Sequence, residues 1–176
     1  MKVLETRRLI LRQLSLDDAE FILELVNEPA FIKNIGDKRV RNMADARQYI
    51  LNGPLDSYQR FGFGLYLVEL KESRLPVGMC GLLKREVLDD VDIGYAFLER
   101  FWSKGYAVES TAAVVDYAKS IIGLHRIVAL ISPGNDRSIK VLEKLGFQFE
   151  ETLRLSGYDG DSLLYARSFP VEVQLA

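Results

Sequence analysis

A chain of 176 residues with 48% apolar side chains and a formal net charge of −2 is long enough to bury a sizeable core as one domain, residues 1–176. Its single cysteine, Cys80, excludes an internal disulfide, and its 23 basic and 25 acidic residues are scattered, not striped, which argues against a nucleic-acid partner. No run approaches the roughly 18 apolar residues of a membrane span, and the opening MKVLETRRLILR breaks every apolar stretch with charge, so a cytoplasmic protein with no membrane partner is expected.

RRLILRQL alternates well enough for a first strand near residues 7–14. Ser15 then stands as the N-cap of a helix over LDDAEFILELVN, with Asp17 and Asp18 in the first turn, where the helix dipole favours negative charge. Leu16, Ala19, Phe21, Ile22, Leu25 and Val26 fall largely on one face at helical spacing, and Asn27 to Pro29 ends the helix. A second helix is expected from Met43 to Leu51, with the following NGPLD as a loop. The period then changes. GFGLYLVEL, PVGMCGLLKRE and VDIGYAFL read as successive strands, with turns at Lys71–Leu75 and Val87–Asp90. From Ala107 the order becomes helix (about 107–122), strand RIVALI, helix (about 135–145), strand FQFEETLRL and strand SLLYARSF. This predicts an α/β fold: a mixed, largely antiparallel sheet flanked by helices. The unit from VDIGYAF through RIVALI should give its one parallel pair, by a right-handed crossover.

The junction RFWSKGYAVEST, residues 100–111, stands between a strand and a helix of unlike composition. A loop that opens a helix presents N–H groups with no intrahelical partner, at the positive end of the dipole, and so suits an anion. Gly105 permits close backbone approach, Ala107 is small, Ser103 can donate a hydroxyl and Lys104 adds a mobile charge. The plain alternative is an ordinary strand–helix turn. There is no G-x-x-x-x-G-K-[ST], and Phe61-Gly62-Phe63-Gly64 lacks a third glycine and precedes a strand. Both observations argue against the better-known nucleotide loops. One histidine and one cysteine argue equally against a zinc site.

Trp102-Ser103-Lys104-Gly105-Tyr106-Ala107 resembles the acyl-CoA pyrophosphate signature of the GCN5-related N-acetyltransferases, Q/R-x-x-G-x-G/A. It most resembles the W-G-K-G-Y-A-x-E of the branch that acetylates ribosomal-protein amino termini. Three further pieces resemble that branch, at plausible distances along the chain: ETRRLILRQL, DIGYAF, and Asn135-Asp136-Arg137-Ser138 through Glu143-Lys144-Leu145-Gly146-Phe147. Trp102 takes the Gln/Arg position, and Ser103 replaces a frequent glycine.

The resemblance implies acetyl transfer from acetyl-CoA, the cosubstrate, to a primary amine by direct attack. A ribosomal-protein amino terminus is the first acceptor it suggests, with polyamines and other small amines open. In the family two strands splay and pantetheine lies between them; here these are VDIGYAFL and RIVALI. The backbone of Phe97 and Leu98 would then meet the pantetheine amides by strand addition. The segment Trp102, Ser103, Lys104, Gly105, Tyr106 and Ala107 would hold the diphosphate, and Asn135 would reach the cosubstrate arm.

The tyrosine that many members use to protonate the leaving thiolate is Leu142 here. Ser138 is the implied substitute, with water, or a purely helix-initiating Ser138, as alternatives. The same substitution keeps a catalytically silent CoA-binding module open. Asp92 stands where the branch has Glu, and a carboxylate there can take the amine proton if its pKa is raised. The alternative is a structural ion pair, with Glu69 and Glu86 as reserves for the base. His125 is expected to be structural. Tyr158, Asp161 and Tyr165 lie where the family shapes its acceptor pocket, although ordinary hairpin and core packing is the preferred account of them. Phe97, Phe101 and Tyr106 are pocket walls or core aromatics. The region from Phe31 to Gln59, with Arg39, Arg41 and Arg47, is expected to frame the acceptor mouth. The slight acidity suits a cationic amine, and a homodimer is open because these folds often pair.

Overall fold

In the computed structural model, residues 1–171 are described. The strands are β1 (Lys2–Glu5), β2 (Leu9–Arg12), β3 (Leu65–Leu70), β4 (Pro76–Leu83), β5 (Asp92–Phe97), β6 (Arg126–Ile131), β7 (Gln148–Leu153) and β8 (Ser162–Ser168). The helices are α1 (Ala19–Val26), α2 (Pro29–Asn34), α3 (Met43–Ile50), α4 (Asp56–Phe61), α5 (Tyr106–Tyr117) and α6 (Asp136–Lys144). The strands make one sheet in the order β1-β2-β3-β4-β5-β6-β8-β7, and among these neighbours only β5 and β6 run parallel.

Helices cover both faces, so β3 and β4 are buried through nearly their whole lengths and are apolar or small throughout except for Glu69 of β3. On one face Leu9, Leu11, Val68, Cys80 and Leu82 pack with Val114 and Val115 of α5 and Leu142 of α6. On the other, Leu67 and Met79 pack with Ile22 and Leu25 of α1, Phe31 of α2 and Ile50 of α3. Alternation along β5 divides the two: Phe97 belongs to the first cluster and Ala96 packs on the second.

The parallel pair is where the sheet opens. β5 and β6 share a single register position, Asp92 opposite Val128, and the Val128 amide donates to the Val91 carbonyl at 3.1 Å. Beyond it the strands diverge. On the other side of β5 the Leu98 amide donates to the Val77 carbonyl at 3.0 Å. In an antiparallel ladder alternate residues turn their backbone groups to one neighbour, so Leu98 and Ala96 face β4 while Phe97 and Tyr95 face the opening.

The elements differ from expectation in three places. NGPLD is not a loop: Leu51–Leu55 forms a wide π-type turn that carries α3 into α4, with Pro54 buried inside it. Proline supplies no N–H, and the widened turn accommodates the missing bond. Pro29 ends nothing beyond α1, because it is also the first residue of α2, the helical position proline tolerates best. Finally, β1 precedes the first expected strand and pairs with β2.

Candidate active site

The loop after β5 is strained where family glycine would fit. Ser103 has φ 60° and Gly105 φ 82°, both in the left-handed region. Gly105 serves as the N-cap of α5 with no side-chain capping bond, and the first helical bond runs from the Glu109 amide to the Gly105 carbonyl at 3.0 Å. The amides of Tyr106, Ala107 and Val108 therefore have no partner within the helix. A Cβ on Gly105 would lie 3.1 Å from Arg8 Nη2, so the backbone is left open here with a guanidinium alongside.

Glu109 anchors that guanidinium. Its carboxylate accepts from Thr6 Oγ1 at 2.6 Å, the Arg8 amide at 2.9 Å and Arg8 Nε at 2.7 Å, while the Arg8 head lies 4.8 Å from the centre of the Tyr106 ring. From the other side Arg137 sits 4.5 Å from the Trp102 ring centre and donates to Ser103 Oγ at 3.1 Å. Arg8, Arg137 and the exposed Lys104 thus surround unpartnered amides with positive charge.

The loop opens into a cavity of about 660 Å³ that follows the β5–β6 opening and reaches Asp92. Phe97, Trp102, Ser103, Gly105, Tyr106, Ala107, Asn135, Ser138 and Asp92 all line it. The predicted motifs, separated in sequence, therefore meet on one surface. Two expected binding residues stand outside it. Leu98 is fully buried, its amide goes to Val77 and its carbonyl accepts from Phe101 at 2.9 Å. Register parity is the reason, and Tyr95 takes its place beside Phe97. The Phe97 carbonyl already accepts from Trp102 Nε1 at 2.8 Å, which leaves its amide as the free donor and explains a Trp at the Gln/Arg position. Lys104 is exposed and off the cavity wall.

Two hydroxyl-bearing residues, Ser138 and Tyr95, line the cavity between the loop and Asp92. Asn135 caps α6 by accepting from the Ser138 amide at 3.4 Å, so the capping role falls to Asn135 and the Ser138 backbone. Tyr95, unremarked in the sequence, lines the cavity and donates to the Ser138 carbonyl at 3.3 Å. Burial pushes its pKa up to about 12, so it remains a proton donor at neutral pH. Leu142, at the family's tyrosine position, is fully buried core.

Asp92 is 1% exposed, and both its oxygens accept from Arg85 Nε at 3.0 Å. Burial raises its pKa, and the Arg85 charge only partly opposes the shift. Arg85 also donates to the Tyr158 hydroxyl at 2.5 Å. Tyr158 thus belongs to the cavity, whereas Tyr165 packs edge-on against Phe149 and the exposed Asp161 pairs with Arg154. Glu69 is held by Arg12 and Arg74 on the α1 side, away from the cavity. Glu86 and His125 are exposed and off the cavity. Phe31 and Phe101 are walls. Of the three arginines expected at the mouth, Arg39 lines a smaller hollow beside it, Arg41 pairs with Asp37, and Arg47 is exposed off the cavity. Burial pushes the Cys80 thiol up to about 11, leaving it an inert core residue.

A protein-family profile described as acetyltransferase (GNAT) domain matches residues 8–148. The chain belongs to the GNAT acetyltransferase family. It is 31% identical over 160 residues to the uncharacterized N-acetyltransferase p20 of Bacillus licheniformis, covering 88% of this chain and 86% of that one. It is 32% identical over 104 residues to the [ribosomal protein uS5]-alanine N-acetyltransferase of Escherichia coli K12, covering 59% of this chain and 50% of that one. Its fold matches the ribosomal L7/L12 alpha-N-protein acetyltransferase RimL, solved in complex with coenzyme A, at a TM-score of 0.81 and 20% identity over 96% of this chain and 98% of that one. The GNAT N-acetyltransferase assignment places this chain among enzymes that act on amines.

Proposed function

We propose that this GNAT enzyme moves the acetyl group of acetyl-CoA to a primary amine by direct attack, with a protein amino terminus as the first acceptor class to test. One observation carries the reading: the unpartnered amides at the start of α5 and the backbone groups of Tyr95 and Phe97 open into the same cavity as Asp92 and Ser138. The residues present fit the cosubstrate, because the cationic N-terminus of α5 suits a diphosphate and the opening beside β5 suits an extended amide-bearing arm. Acetyl-CoA supplies the acetyl thioester and the thiolate leaving group. The Phe97 amide and the Tyr95 backbone hold the arm in register, and Asn135 meets it from α6.

Asp92 takes the proton of the acceptor amine, directly or through water, while Arg85 keeps the carboxylate in place. As the N–C bond forms and the C–S bond breaks, a hydroxyl of the Ser138–Tyr95 pair gives its proton to the departing sulfur. The ribosomal relatives favour a protein amino terminus, whose reference pKa of about 8 makes the neutral form easier to reach than for a lysine, at about 10.4. Free-thiol release across a panel of peptides and small amines tests this. Amine-dependent release confirms transfer. Acetyl-CoA binding without release from any acceptor identifies a silent CoA-binding module instead.

A further inference from the structure

β5 sets the two ends of the cavity. The anion-binding loop follows its last residue and Asp92 is its first, and a six-residue strand spans roughly 16 Å. The Asp92 end is therefore where the acceptor enters, and its charges are unbalanced. Arg85 and Asp92 cancel each other as an ion pair. Lys38, exposed at the mouth, lines the same cavity and makes no ion pair among the described residues. Its neighbour Asp37 is already held by Arg41 at 2.5 Å. Packing of its ammonium against the cavity wall lowers the lysine pKa although the residue as a whole is exposed, and the charge of Arg85, a second cation, adds to the shift. Tyr49 lines the wall beside them, and its hydroxyl makes no hydrogen bond among the described residues. Burial raises its pKa to about 12, so it too offers a donor.

An ammonium, the unused Nη2 of Arg85 and a phenol thus converge with one carboxylate, and that carboxylate is spoken for. An acceptor amine must lose its charge before it can attack, so it would leave this excess of positive charge unmet. Resting on the transferase reading above, we infer that the acceptor carries a carboxylate a few bonds from its amine, and that Lys38 binds this group with Tyr49 beside it. This reverses the expectation of a cationic acceptor drawn from overall charge. The whole molecule is slightly acidic, but this end of the cavity is cationic.

The test compares matched acceptors that differ only in charge: free amino acids against their carboxamides, and peptides beginning Ser-Asp against Ser-Asn, each with a blocked carboxyl terminus. The wild-type enzyme should favour the carboxylate form by about tenfold or more in kcat/KM, as expected for a charge-assisted contact. The preference should shrink with added salt. Lys38→Ala should bring the ratio near one with acetyl-CoA affinity retained, and Lys38→Glu should invert it. A preference confined to the amino-acid pair identifies the α-carboxylate as the group bound; one confined to the peptides identifies an acidic side chain. Equal or reversed selectivity in the wild type overturns the inference while leaving acetyl transfer intact. So does a preference that survives Lys38→Ala. Release from no acceptor at all, with acetyl-CoA bound, overturns the transferase reading and this inference with it.

Discussion

Asp92 and Asp18 are both buried and both face an arginine, yet their pKa values move in opposite directions. At Asp92 burial dominates and the pKa rises. At Asp18 burial is again the largest single influence, but the Arg12 fork at 2.8 and 2.9 Å and the Ser15 amide at 2.8 Å together outweigh it, and the pKa falls. In the proposed mechanism Asp92 is the base, so kcat/KM should decline as pH drops through a pKa above the ordinary carboxylate value. Asp92→Asn should abolish that acidic limb and lower kcat/KM by about 10²–10⁴-fold; a pH–rate profile checks both. Ser138→Ala should lower kcat about tenfold or more with acetyl-CoA affinity unchanged, and a matching loss of affinity would make it a binding residue. Ser103 is a different case, a serine at φ 60°. Ser103→Gly should raise stability by about 1 kcal/mol in urea denaturation, because the exposed bond to Arg137 that it gives up contributes little.

At the scale of elements, Arg12 ties the end of β2 to the start of α1 and to β3 through Asp18 and Glu69. Arg12→Met would leave two buried carboxylates without their shared partner and should cost about 3–5 kcal/mol in urea denaturation. Because the folded pKa of Asp18 is depressed, its share of stability is present above the unfolded value of about 3.8. It is lost as pH falls from there through the folded pKa. Some elements were legible from pattern alone. β6 runs over RIVALI as expected, since a branched apolar run bounded by a glycine-containing turn and a helix cap has few alternatives. β1 was not legible, because KVLE is short and only half-buried. α2 has six residues, too few to show a period. The π-type turn reads as a loop because Asn52, Gly53 and Pro54 carry loop chemistry, and only tertiary packing overrides it. The site divides similarly. Trp102 through Ala107, Asn135 and Ser138 stand out because they form contiguous motifs. Arg85, Tyr95, Lys38 and Tyr49 are ordinary residues in sequence and acquire meaning only when the opened sheet brings them together. Leu98 lies one position off the cavity wall, where register parity decides and composition says nothing.

For the whole molecule, the opening between β5 and β6 divides a sheet that is otherwise continuously paired. A ligand seated there touches strands from both halves and should stabilise the chain as a unit. At about 100 times its Kd, acetyl-CoA should add about 2.7 kcal/mol, a Tm rise of about 5–10 °C for a domain of this size. The most direct test of the central claim is calorimetric titration of acetyl-CoA into the wild-type protein and into Gly105→Asp. The substitution sets an anion and a strained φ against the proposed diphosphate site. Binding by the wild type and a loss of at least about 100-fold in the variant is the predicted result. Equal affinity in the two, or no binding by either, would mean that the start of α5 is only a turn.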